Sequence, residues 1–250
     1  MKFNIYEKMK NDKGADNMLR KVDHNKMGNS NLGWLRSLFH FSFAEYYNPE
    51  NINFGVLRVI NDDLIAAKTG FDTHPHRDME IISYVVEGDL THGDSMGNQE
   101  TVSRGHVQYM SAGTGILHSE KNHGDETLRL LQIWIFPDQR GYTPNYGDFR
   151  FNWEDRHNKW LHMVSGKDGD ATVKVNQDVN FYSLLLDQGK EISFPVASGR
   201  QAYLVQIEGT SDINEINLEA RDGLEIIEED IQIKAKETAH FLVIEMAKED

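Results

Sequence analysis

The chain is punctuated too often to be helical. Short runs rich in Val, Ile, Tyr, Phe and Leu recur from residue 53 onward: Asn53–Ile60, Glu80–Val86, Val107–Tyr109, Leu128–Phe136, Phe181–Leu186, Ala202–Ile207 and Phe241–Met246. Turn formers stand between them, at Asn61-Asp62-Asp63, Glu87-Gly88-Asp89, Met96-Gly97-Asn98, Ala112-Gly113-Thr114-Gly115, Ser198-Gly199 and Asp222-Gly223. Such residues pack well on a pleated surface, and short strands at regular spacing read as a β-barrel or sandwich. Only Asn152–Leu161 has room for a helical turn or two. The expected class is therefore all-β and antiparallel.

The 250 residues suffice for two small domains. The densest break is Pro137–Asp148, with Pro137, Gly141, Pro144 and Gly147 in twelve positions. It divides the chain into an arm (1–31, strand or loop), an N-terminal domain (32–137), a linker (138–148) and a C-terminal domain (149–250). Each domain has about the length of a jelly-roll barrel.

The formal net charge is −14, and residues 201–250 carry thirteen acidic and four basic side chains. An acidic surface repels phosphate backbones, so no direct nucleic-acid binding is expected. With no cysteine, disulfides and thiolate ligands are excluded. Residues 1–13 lack the apolar core of a secretory signal, and no run of eighteen apolar residues is present. The expectation is a cytoplasmic protein, not bound to membranes.

Two short motifs carry chemistry. In His74-Pro75-His76 the imidazoles at i and i+2 share one face of a strand, where both can reach one ion. Pro75 then points away and lacks a ladder donor, which suits an edge or a bulge. Eleven histidines in the chain make one such pair unsurprising. His118-Ser119-Glu120 repeats the spacing with a carboxylate as second group. Gly70 precedes the first pair, and Gly113 and Gly115 the second, where a tight turn can feed each strand. Three imidazoles and a carboxylate suit Fe(II), Mn(II), Ni(II), Co(II), Cu(II) or Zn(II), and leave positions open on an octahedral ion. Spacing alone permits either Glu80 or Glu120 as the carboxylate; only Glu120 shares a face with a paired histidine. His92, His106 and His123 read as turn or strand-start residues, and His40 as a core or pocket-wall histidine. The second half, with His157, His162 and His240, has no such pair and is expected to be metal-free.

The segments Gly70-Phe-Asp-Thr-His-Pro-His-Arg-Asp-Met-Glu80 through Gly88, and Met110-Ser-Ala-Gly-Thr-Gly-Ile-Leu-His-Ser-Glu120, look like the two cupin motifs. With Asp94-Ser-Met-Gly-Asn98, Gly33-Trp34, Phe41-Ser-Phe43, Val59-Ile-Asn-Asp-Asp63 and Gln132-Ile-Trp-Ile135, the set resembles the pirin family, above all bacterial pirin-like quercetinases. It is strong over about residues 32–137 and loose beyond. The resemblance implies a bicupin of two antiparallel jelly-roll β-barrels. It implies one metal ion, usually iron, in the N-terminal domain on His74, His76, His118 and Glu120. Glu80 then falls to an outer position. It also implies a dioxygenase of the quercetin 2,3-dioxygenase type, in which a flavonol-like aromatic reacts with O₂ and releases carbon monoxide. Glu120 is then the catalytic base for the substrate hydroxyl. Some relatives act instead as metal- or redox-dependent regulators that bind a partner protein, the alternative for this chain. A monomer is expected. Leu38-Phe39 departs from the Trp-His of close relatives, implying a reshaped pocket wall.

Overall fold

The computed structural model describes residues 18–248. The expectation about a leader in residues 1–13 lies outside this range, as does most of the arm. In chain order the strands are β1 (Met18–Val22), β2 (Gly28–Asn31), β3 (Leu35–Phe39), β4 (Leu57–Ile65), β5 (Gly70–His76), β6 (Glu80–Glu87), β7 (Asp89–Asp94), β8 (Gln99–Ser103), β9 (Val107–Ser111), β10 (Ile116–Lys121) and β11 (Leu128–Ile135). They continue as β12 (Asn145–Phe149), β13 (Leu161–Gly166), β14 (Val173–Val175), β15 (Val179–Leu186), β16 (Glu191–Phe194), β17 (Arg200–Glu208), β18 (Ser211–Ile213), β19 (Ile216–Leu218), β20 (Gly223–Ile227), β21 (Ile231–Ala235) and β22 (Ala239–Ala247). The helical turn expected near 152–161 is a 3₁₀ turn at Trp153–Arg156. Among the described residues no helix is long and apolar enough to cross a membrane.

The chain forms two compact units. The first holds residues 27–155 and 162–179. Its sheets run β12-β9-β6-β11-β4-β3-β2 and β5-β10-β7-β8. Between them lie Leu35, Ile65, Val85, Leu90, Val102, Leu128 and Leu130, all buried. Burial of this apolar surface drives the two sheets together. β6 and β11, in the middle of the larger sheet, are buried nearly end to end, as strands covered on both faces must be. β5 lies at an edge, bonded only to β10, so Pro75 costs no ladder bond to a further strand.

The second unit holds, among the described residues, 18–26, 156–161 and 180–248. Leu184, Leu204, Leu224, Phe241 and Val243 are at the centre of its core. β1 pairs with β20 and β17 with β22, and a second sheet runs β16-β21-β18-β19.

One expectation is corrected. The strand orders are open, so the barrels of the sequence reading are packed sheets that do not close. The segment read as a linker carries backbone pairing of its own. Asn145–Phe149 is a strand on β9, and Tyr142 accepts a backbone hydrogen bond from Thr114 at 2.8 Å. A side chain at Gly113, where φ is +44°, would meet the Tyr142 carbonyl at 2.0 Å.

Candidate metal centre

The β5–β10 pair builds the site. His118 lies opposite His74 in register, and Ile116 opposite His76. On β10 burial alternates, so His118 and Glu120 both point inward while Leu117 and Ser119 point out. The register with β5 slips between His118 and Glu120, a β-bulge that re-aims the strand. Gly70 permits this approach. Its φ is +150°, and a Cβ there would stand 2.3 Å from the Glu120 carbonyl.

His74, His76 and His118 converge, each presenting a ring nitrogen within 4.8 Å of the others. Their ring centroids form a near-equilateral triangle of 4.5, 4.8 and 4.9 Å. His74 Nδ1 donates to the Asp72 carbonyl at 2.7 Å, which leaves Nε2 free of its proton and facing His118 Nε2. Burial, and then the neighbouring imidazoles, lower the pKa of His118 to about 3 and of His76 to about 4. Neutral rings with inward lone pairs are what a divalent ion requires.

Glu120 does not join the triplet within the same 4.8 Å limit. Its buried carboxylate is held from behind. Gln108 Nε2 donates to Oε1 at 3.1 Å, and Gln132 Nε2 to Oε2 at 2.6 Å. Ser83 Oγ stands 2.9 Å from both Glu120 Oε1 and Gln132 Oε1, and its single proton serves one at a time. A carboxylate offers about four lone pairs; one on Oε2 stays open, and one on Oε1 as well when the Ser83 proton turns to Gln132, so the group can meet both an ion and a substrate proton. Glu80 is engaged elsewhere. Ser111 Oγ donates to it at 2.6 Å, and Asn176 donates from its side chain and its backbone at 3.0 and 3.1 Å.

Apolar groups wall the site. Trp134 meets His76 edge-on at 4.9 Å and Phe43 at 5.4 Å, and packs with Met79 and Tyr146 on Ile81, Met110, Ala112 and Ile116. Clefts of about 420 and 470 Å³ lie along β5, one lined by His74, Trp34 and Phe71, the other by His76, Ile116 and Leu117. His92, read from the sequence as a turn or strand-start residue, is fully buried in β7 beside His118, with ring centroids 5.4 Å apart. The signal for it was the same i, i+2 spacing in His92-Gly93-Asp94. His106 and His123 are not in the cluster. In the second unit Asp23, His24 and Asp222 also come within 4.8 Å, but Lys21 Nζ already sits 2.7 Å from the buried Asp222 carboxylate and supplies the cation there.

Two packed-sheet units, the first with three converging histidines, define a protein of cupin type. Residues 20–135 match the Pirin family model, and residues 162–246 match the model of the quercetinase C-terminal cupin domain. Quercetin 2,3-dioxygenase of Escherichia coli K12 is 44% identical over 91% of this chain and 97% of its own length. A pirin-like protein of Caulobacter vibrioides is 42% identical over 92% of this chain and all of its own. The crystal structure of bacterial pirin YhhW from Escherichia coli in complex with nickel(II) superposes with a TM-score of 0.87 at 40% identity, covering 93% of this chain and 100% of that one. The chain belongs to the pirin family.

Proposed function

We propose that His74, His76 and His118, with Glu120, hold one divalent transition metal, iron by expectation, and that the centre cleaves flavonol-type aromatics with O₂. The observation that carries this reading is the convergence of three imidazoles beside a carboxylate with an open lone pair. The names of the relatives and the nickel complex of the structural neighbour support it.

A bound divalent ion supplies Lewis acidity and lowers the pKa of a hydroxyl that reaches it. The residues do the rest. His74 is aimed by the Asp72 carbonyl. Glu120 Oε2 receives the substrate proton and then carries it as an O–H, while Gln132 and Gln108 hold the carboxyl group in place. Trp134, Met79 and Ile116 present an apolar wall that excludes water from a flat aromatic ring.

The test is spectroscopic and chemical. Quercetin added to the iron-loaded protein under argon should shift its absorption to the red as the flavonol ionises. Admitting air should consume O₂, bleach that band and release carbon monoxide, and His118→Ala should lose both steps. A protein that binds quercetin yet consumes no O₂ with iron, manganese, nickel, cobalt or copper is not a dioxygenase. The metal-dependent regulatory protein with a partner protein then replaces this reading.

A further inference from the structure

Behind His118 stands a second, buried histidine that the proposed reaction leaves without a role. β7 runs antiparallel to β10, with Asp94 opposite His118 and His92 opposite Glu120. His92 is thus the diagonal neighbour of His118, within reach across the strands. Asp94 is saturated. Its Oδ1 accepts the backbone N–H groups of Met96 and Asn98 at 2.9 and 3.1 Å, and its Oδ2 accepts Asn98 Nδ2 and His92 Nε2, both at 2.9 Å. A carboxylate so loaded only accepts, so His92 Nε2 carries a proton. In the neutral ring its Nδ1 is then an acceptor. Tyr146 stacks on His92 at 4.2 Å and 16° and fixes the plane of the ring.

The other half of the pair has the opposite need. Nε2 of His118 is turned to the centre, 3.1 Å from His74 Nε2; with that nitrogen on a metal ion, Nδ1 would bear the proton and donate it to an outer partner. His118 Nδ1 and His92 Nδ1 are both buried, and neither has a hydrogen-bond partner in this structure. With the ion in place one would be a donor and the other an acceptor, on rings 5.4 Å apart.

We propose, resting on the metal reading above, that His92 is the positioning partner of His118. It accepts the His118 Nδ1–H, directly or through one enclosed water, and Asp94 sets the tautomer that lets it do so. The Asp94–His92 pair thereby tunes metal affinity from outside the ligand set. A buried water with two or three polar neighbours is an ordinary occupant of such a gap.

Nickel(II) titrated into the full-length metal-free protein tests this. His92→Phe keeps a flat ring against Tyr146 but has no acceptor, and its nickel Kd should rise roughly 10–100-fold. His92→Asn, whose Oδ1 falls near the lost Nδ1, should recover much of that. In cobalt(II)-loaded protein the exchangeable His118 N–H proton resonance should be seen in wild type and His92→Asn, and lost to solvent exchange in His92→Phe. Wild-type affinity and a retained resonance in His92→Phe overturn the proposal, as does equal weakening by both substitutions. Undiminished nickel binding in His118→Ala sinks the metal reading itself; loss in His118→Ala with none in His92→Phe sinks only the role of His92.

Discussion

His118 Nε2 stands 3.1 Å from His74 Nε2 across the β5–β10 pair. Two ring nitrogens at that distance repel unless a proton or a cation lies between them. The His74 proton is committed to Asp72 on the far side of its ring, and His118 is buried. The pair is therefore held ready for a positive charge by the strands that carry it.

The purified protein should contain one divalent metal per chain, read by elemental analysis. His118→Ala removes one of the three rings of the triangle and should abolish tight binding. His106→Ala should leave it intact, because His106 is spent on the backbone N–H of Ser103 at 3.1 Å.

The metal-free protein should lose stability as the solution is acidified. His118 and His76 have pKa values near 3 and 4 in the folded chain, against 6.5 when unfolded. Between those limits the unfolded state binds more protons, so stability rises with pH there and falls as pH drops from 6.5 toward 4. Denaturant midpoints measured across this range should fall less steeply in His118→Phe, and at least as steeply in wild type once metal is bound, because the ion requires the rings proton-free while the unfolded chain still takes protons up.

Glu120→Gln and Glu80→Gln should part company. Glu120→Gln keeps shape but removes the charge and the base, and kcat for O₂ uptake should fall by roughly 10²–10⁴. Glu80→Gln should spare turnover but lower stability by about 1–3 kcal/mol, because the donors on Ser111 and Asn176 lose a charged acceptor. A dead Glu80→Gln beside a fully active Glu120→Gln would reassign the carboxylate.

Gly70→Ala should weaken metal binding without touching a ligand. The new methyl group meets the Glu120 carbonyl and the Lys121 backbone, and the backbone angle adds strain of about 1–3 kcal/mol. β5 must then move away from β10, spreading His74 from His118. A raised nickel Kd with a lowered Tm is the expected result; an unchanged Kd would mean the strands tolerate the shift.

The sequence by itself determined what a period of two can encode. Alternation put His74 with His76, and His118 with Glu120, on shared faces, and the glycines and turn residues marked most strand ends. It also carried the family. The tertiary structure decided everything that depends on partners far along the chain. Motif spacing permits either Glu80 or Glu120 as the carboxylate, yet one is held by Asn176 and the other by Ser83, Gln108 and Gln132. His92 looks like a turn residue until β7 is laid beside β10. Residues 18–22 read as part of a strand or loop arm without a stated partner, and they pair with β20, some two hundred positions away. Residues 138–148, with Gly141, Pro144 and Gly147, read as a linker, and what they touch is not written there: the Tyr142 carbonyl accepts the Thr114 N–H beside the Gly113 turn. The physical reason is common to all four. Local patterns state which face a side chain takes, while register between distant strands, set by packing and by one bulge, states what it meets there.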